Sequence, residues 1–316
     1  MRAIDRGAKR AQRQRLAHEK AAQKLEMLEA AADAVAEYEE MIEALTGSHR
    51  VSFSRIDWAT RACAPQKSIP GRVDVNENVA REALRSYRPG WFAKTFGLES
   101  GQRQKLERAI ETAIASDDQA LADSIAKVKA YNDDIAFAKR VIALQPDAVT
   151  TALNRFSALD DLPFCIEGLD LFHHEDGRIV ALADGLELED MPTQSITLLQ
   201  SGKASIKAIP KGRIQEIYRE NICSSGLRVA IEFLQVVPVD AVEVVVHGDL
   251  LDPSTGHIES QPLLHVKVSV QALDQVNLKW TEATAVIERL GGHMNWSKKD
   301  GFKPLSVEQF NPEGMI

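Results

Sequence analysis

Residues 241–270 read AVEVVVHGDLLDPSTGHIESQPLLHVKVSV, two β-branched runs separated by Asp252-Pro253-Ser254-Thr255-Gly256. Aspartate starts a turn, proline presets φ and glycine supplies the positive-φ exit, so the runs fold back on each other as a long hairpin. The alternation predicts strands over 242–251 and 257–270, with Pro262 at a bulge or an edge because proline brings no N–H to a ladder. Leu264, Val266, Val268 and Val270 share one face of the second strand, and His265, Lys267 and Ser269 share the other. Glu243, Val245 and His247 fall on one face of the first strand, opposite that polar row. Asp249, Asp252, His257 and Glu259 gather nearer the turn.

Upstream of the hairpin, GRIQEIYRENICSSGLRVAIEFLQV (212–236) has helical period, with Ile214, Tyr218, Ile222, Gly226, Val229 and Phe233 on one face. Before it, residues 194–210 read as two short strands bent at Ser201-Gly202. At Asp160 the period changes from helical to alternating, and Asp176-Gly177 marks another hairpin turn beside His173 and His174. Adjacent strand residues point to opposite faces, so at most one of that histidine pair serves any one site. Downstream come a helical turn at 272–276, a helix at 281–290 and a basic, aromatic loop, GGHMNWSKKDGFKPL. The order strand, strand, helix, strand, strand, helix predicts an α+β domain over 160–316 with a mostly antiparallel sheet.

Residues 76–159 have helical period throughout and predict an all-α bundle. Asn76 is a capping residue for a helix ending before Pro89, and PGWFAKTFG is a short apolar helix that would plug Trp91, Phe92 and Phe96 into a core. Two amphipathic helices are expected at 100–115 and 117–145, with Ser116 and Asp117 capping between them, and a further helix starts at Pro146. Residues 48–75 form a linker that contains a short strand at Val51, Phe53 and Ile56, followed by a loop with Pro65, Pro70 and Gly71.

Residues 8–45 are rich in Ala, Glu, Lys, Gln and Leu, with no Pro or Gly between Gly7 and Gly47, and predict one long helix. Leu25, Leu28, Ala32, Val35 and Ile42 fall on a heptad seam that Glu39 interrupts. Residues 1–25 carry eight basic and two acidic side chains, whereas 26–47 carry seven acidic and no basic ones. That order opposes the helix dipole, and antiparallel pairing of two copies would relieve it. Residues 1–47 are therefore expected to be a basic arm and coiled-coil helix that dimerises the chain. Packing of this helix on its own chain and phosphate contacts by the arm are the other readings.

The 316 residues, 44% hydrophobic and 27% charged, fit a folded globular protein of more than one domain. The net charge of −8 excludes a polyanion binder by bulk charge, so any such contact must be local. Cys63, Cys165 and Cys223 are far apart and form no CxxC pair, which argues against a disulfide framework and a cysteine-rich zinc site. No apolar run approaches membrane-spanning length and the start has no secretory signal, so a cytoplasmic protein is expected. GxGxxG, HExxH, GxSxG and P-loop frames are absent.

Three constellations carry chemistry. Lys203, Lys207, Lys211 and Arg213 recur through GKASIKAIPKGR. With Lys298, Lys299 and Lys303 beside Trp296 and Phe302 they supply cations and stacking surfaces for DNA or RNA. The second is a magnesium-dependent nuclease on the long hairpin, with Asp249 (or Asp252) and Glu259 as metal ligands, Lys267 at the attacking water or charged phosphorane, and His265 as a further catalytic residue. Restriction-endonuclease-like sites place an acid two residues before the lysine; this chain has His265 there, so the likeness is partial. The third is a Cys223 nucleophile with His247 or His265, set against close packing of the small residues in ICSSGL. The leading expectation is a non-enzymatic, oligomeric nucleic-acid-binding or scaffolding protein without a cofactor. A Mg²⁺ nuclease is the alternative, and the other is a subunit whose acidic 160–190 segment docks a partner protein.

Overall fold

In the computed structural model of the chain, residues 26–89, 99–159, 162–173, 178–251 and 256–305 are described. Two compact units emerge: Asp57–Ala148, and a second that joins the segment up to Ile56 with Val149 onward. The architecture is α+β. Helix α1 (26–47) belongs to the same unit as the C-terminal strands.

The larger unit is built on a six-stranded sheet of β1 (Ile166–His173), β2 (Ile179–Gly185), β5 (Ala241–Leu251), β6 (Ile258–Ser269), β7 (His293–Ser297) and β8 (Gly301–Lys303), adjacent in that order. β2 and β5 run parallel and the other pairs antiparallel. Between β2 and β5 the chain makes a separate hairpin, β3 (Gln194–Leu198) with β4 (Ala204–Ala208), and then the crossover helix α6 (Lys211–Val236). The β5–β6 register shifts between Val246 and His247, opposite Leu264 and Pro262, so the proline lies at a bulge as its missing N–H requires.

Alternation gives the sheet two unlike faces. Val242, Val244, Val246, Leu264, Val266 and Val268 are buried on one face, and α6 packs there: a methyl on Gly226 would meet Leu264 and Val246. Glu243, Val245, His247, His265 and Lys267 occupy the other face. α6 is buried nearly all round from Asn221 to Leu234, so its polar groups need internal partners. Asn221 donates to the Leu45 and Phe164 carbonyls, and Ser225 donates to that of Cys165. Arg228 donates to the Ser48 carbonyl and pairs with Glu232 at 2.7 Å. These contacts fasten α1 and the start of β1 to the central helix.

The expected strand at 49–58 does not form. His49 is fully buried, its ring set between Ser224 Oγ at 2.9 Å and the Thr281 carbonyl at 3.1 Å. The Ile56 N–H instead donates to the Gln235 carbonyl at the end of α6. The expected C-terminal loop is the β7–β8 hairpin, because Met294, Trp296 and Phe302 alternate inward and Gly301 takes φ 81°. Short helices α7 (Val270–Asp274) and α8 (Ala283–Arg289) close the unit, Glu220 accepting from the Ala283 and Thr284 N–H groups at the start of α8.

In the smaller unit, α2 (Trp58–Cys63) and α3 (Val75–Ser86) pack on one 44-residue helix, α4 (Glu99–Ile142). The two helices expected at 100–115 and 117–145 are thus continuous. Ser116 and Asp117 do not break α4; the Asp117 carboxylate accepts the Asn76 and Glu77 N–H groups and caps α3 from outside. The expected Asn76 cap is corrected accordingly: α3 starts at Val75, and the Asn76 side-chain amide donates to Asp117. Helix α5 (Pro146–Phe156) begins at the expected proline. The 91–96 plug, the basic arm of residues 1–25, His174, the Asp176-Gly177 turn and Asp252–Thr255 lie outside the described residues.

Candidate nucleic-acid interface

The β7–β8 hairpin lies across the first two turns of α6. Trp296 presents its ring to the Arg219 guanidinium, 4.1 Å from the ring centroid, and Phe302 meets Tyr218 edge-on at 5.5 Å. Gly301 sits over Gln215 so closely that a methyl there would lie 2.6 Å from Oε1. At the tip, Lys298 crosses Gly212, whose added methyl would be 3.2 Å from the lysine stem. Lys298 Nζ ends 2.6 Å from one oxygen of Glu216, and Arg213 reaches the other at 3.1 Å. Lys298, then Arg213, hold the Glu216 carboxyl below the ordinary carboxylate range.

Two basic stretches 85 residues apart, 211–213 and 298–299, therefore meet at one end of α6. Pro210 precedes that helix without a side-chain cap, so the partial positive charge of a 26-residue helix terminus adds to Lys211, Arg213, Lys298 and Lys299. Lys207 lies on the neighbouring β3–β4 hairpin opposite Ser195. Ser195 and Arg213 line the same cleft of about 380 Å³, with Ile42, Ile209 and Ile217. Lys203 precedes β4, in the hairpin's turn. Lys303 follows the inward-facing Phe302 on β8 and so projects from the opposite sheet face, with Asn295; Lys203, beside Gly202 and Leu28, is likewise not brought to the Glu216 cluster.

The hairpin residues of the nuclease expectation do not converge. Asp249 pairs with Ser260 and Glu259 with Leu250, so the two carboxylates point to opposite faces. Lys267 stands opposite Glu243, six residues from Asp249 along β5, about 20 Å at strand rise. Among the described residues no three His, Cys, Asp or Glu side chains are placed to hold a metal ion. Both oxygens of the half-buried Glu187 accept the Asp249 N–H at 3.1 Å, and burial raises the Glu187 carboxyl.

Glu243 is instead the hub of the polar face. His265, Arg178 and Lys267 approach it at 3.6, 3.8 and 3.9 Å. His265 stacks on His293 with ring centroids 6.0 Å apart. Burial lowers the His265 and His247 pKa, with Glu243 and Asp184 respectively opposing the shift. The sequence pairs Glu243 with Lys267 through strand alternation, but Arg178 comes from another hairpin and only the β2–β5 pairing brings it in.

Cys223 is fully buried, and burial pushes its thiol up to about 12. It lies on α6, whereas His247 and His265 face away from that helix across the sheet. The thiol is packing, not a nucleophile.

Neither the family models, the curated proteins nor the solved structures searched give a match to this chain. Among the described residues, no helix is long and apolar enough to cross a membrane.

Proposed function

We propose that the chain binds nucleic acid, without catalysing a reaction on it, through the basic ridge at the start of α6. The supporting observation is the meeting of Lys298 and Arg213 on one Glu216 carboxylate, which joins two separate basic sequences into one surface. Lys211, Lys299 and the helix terminus extend that surface, and Lys207 lies on the adjoining hairpin. Phosphates of a strand lying along it would meet Lys298 and Arg213, which Glu216 holds in place, with Lys211 and Lys299 beside them. With a net charge of −8 for the whole chain, attraction for a polyanion depends on local basic surfaces such as this ridge.

Pairing of two copies through residues 1–47 accompanies this reading as a separate proposal. Part of the seam is engaged within the chain: Leu28 lies against Gly202, and Ile42 lines the cleft with Ile209 and Ile217. Light scattering tests it, since a particle near the 34.9 kDa of one chain rules the pairing out.

The binding test is fluorescence anisotropy with labelled duplex DNA, single-stranded DNA and single-stranded RNA of one sequence. Replacing Lys211, Arg213, Lys298 and Lys299 together by Glu is expected to abolish binding to every probe. Unchanged binding by that variant overturns the reading.

A further inference from the structure

β1 is the last strand of the sheet, and among the described residues no strand pairs with its outer edge. A cleft of about 540 Å³ runs beside it, lined by Leu153 and Asn154 of α5 and by every residue from Ile166 to Leu171. Consecutive strand residues point to alternate faces, so six in a row line one cleft only through their backbone edge. The cleft therefore opens onto the outward N–H and C=O groups of β1, which no strand among the described residues pairs. We propose that this edge docks an extended, Lys- or Arg-rich segment of a partner protein, which joins the sheet as a seventh strand.

Charge selects the occupant. Glu167 and Asp170 are exposed along β1, and residues 147–200 contain eleven acidic and two basic side chains. A second β1 at this edge would set those acids against their own copies, which is unfavourable across a strand pair. A basic strand gains a cross-strand partner at each. Apolar contact comes from Leu153, Leu169 and Leu171 along the cleft.

The edge is also held ready. Phe164, just before the strand, takes φ 58°, a conformation that side chains other than glycine seldom adopt. Asn221 and Ser225 hold the carbonyls of Phe164 and Cys165, and the Phe164 side chain is 44% exposed. A strained residue clamped by buried donors, with its ring left in solvent beside an open strand, fits a surface prepared for contact. Main-chain pairing of an added strand supplies affinity and the alternate side chains supply selectivity.

The probe is fluorescein-labelled acetyl-Lys-Thr-Lys-Val-Lys-Thr-Lys-Val-amide, titrated into the full chain. The unmodified peptide is expected to bind and to slow amide exchange of β1. A copy N-methylated at alternate residues, with the same charge, is expected not to bind. Glu167→Lys with Asp170→Lys should weaken the unmodified peptide about tenfold, while Lys298→Ala should leave it unchanged. Equal binding of the N-methylated peptide, protection away from β1, or indifference to the charge reversal overturns the proposal.

Discussion

Lys298 Nζ and Glu216 Oε1 lie 2.6 Å apart, the contact that anchors the tip of the β7–β8 hairpin to the start of α6. Glu216 both fixes and partly neutralises the ridge. In Glu216→Gln the ridge loses a negative charge while the amide still bonds a lysine, so nucleic-acid affinity is expected to rise about two- to fivefold. Glu216→Lys is expected to disorder the tip by repulsion. Anisotropy titrations of both variants against one duplex check the pair.

Gly301 combines φ 81° with close approach to Gln215. Gly301→Ala meets a left-handed backbone and a clash at once. A stability loss of about 1–2 kcal/mol is expected from the backbone alone, seen as a lower urea midpoint. Nucleic-acid binding should weaken as well, although no charge has changed.

The Arg228–Glu232 pair is almost fully buried, and Glu232 also accepts the Ala158 N–H. Glu232→Ala leaves a buried guanidinium without its carboxylate and is expected to cost about 3–5 kcal/mol. Arg228→Met with Glu232→Leu should recover most of that loss. Chemical denaturation of the single and double variants measures the difference.

His49 sets an acid limit. Burial holds its pKa below the ordinary 6.5, so between the folded value and 6.5 the unfolded chain binds more protons than the folded one. Stability is then full above about pH 6.5 and falls as pH drops through that window. His49→Gln is expected to lose about 1–3 kcal/mol at pH 8, from the disturbed bonds to Ser224 and Thr281. It should also flatten the decline below about pH 6.5, a result read from denaturation midpoints across pH.

The α+β order, the β5–β6 hairpin and the helix ending at Val236 were legible because alternation, turn residues and helical period are local. Asp117 shows where locality ends. Ser-Asp is a sound capping pair, but the carboxylate caps a different helix, 40 residues earlier in sequence, and α4 runs on unbroken. His49 was hidden by the alternation of Val51, Phe53 and Ile56, since its partners Ser224 and Thr281 are far away in sequence. The β7–β8 hairpin was obscured because His293–Lys303 mixes basic and aromatic residues as loops do. Its inward Trp296 and Phe302 make sense only against Arg219 and Tyr218. Both basic stretches were visible in the sequence, but not their meeting at Glu216.

The most direct measurement is the salt dependence of duplex binding in the full chain and in Lys298→Ala with Lys299→Ala. A straight line of log affinity against log salt is expected, with a slope of about −3 to −4 for four phosphate contacts, reduced by about 2 in the double variant. Binding that ignores salt, or a slope that the double variant leaves unchanged, would contradict the assignment of the ridge.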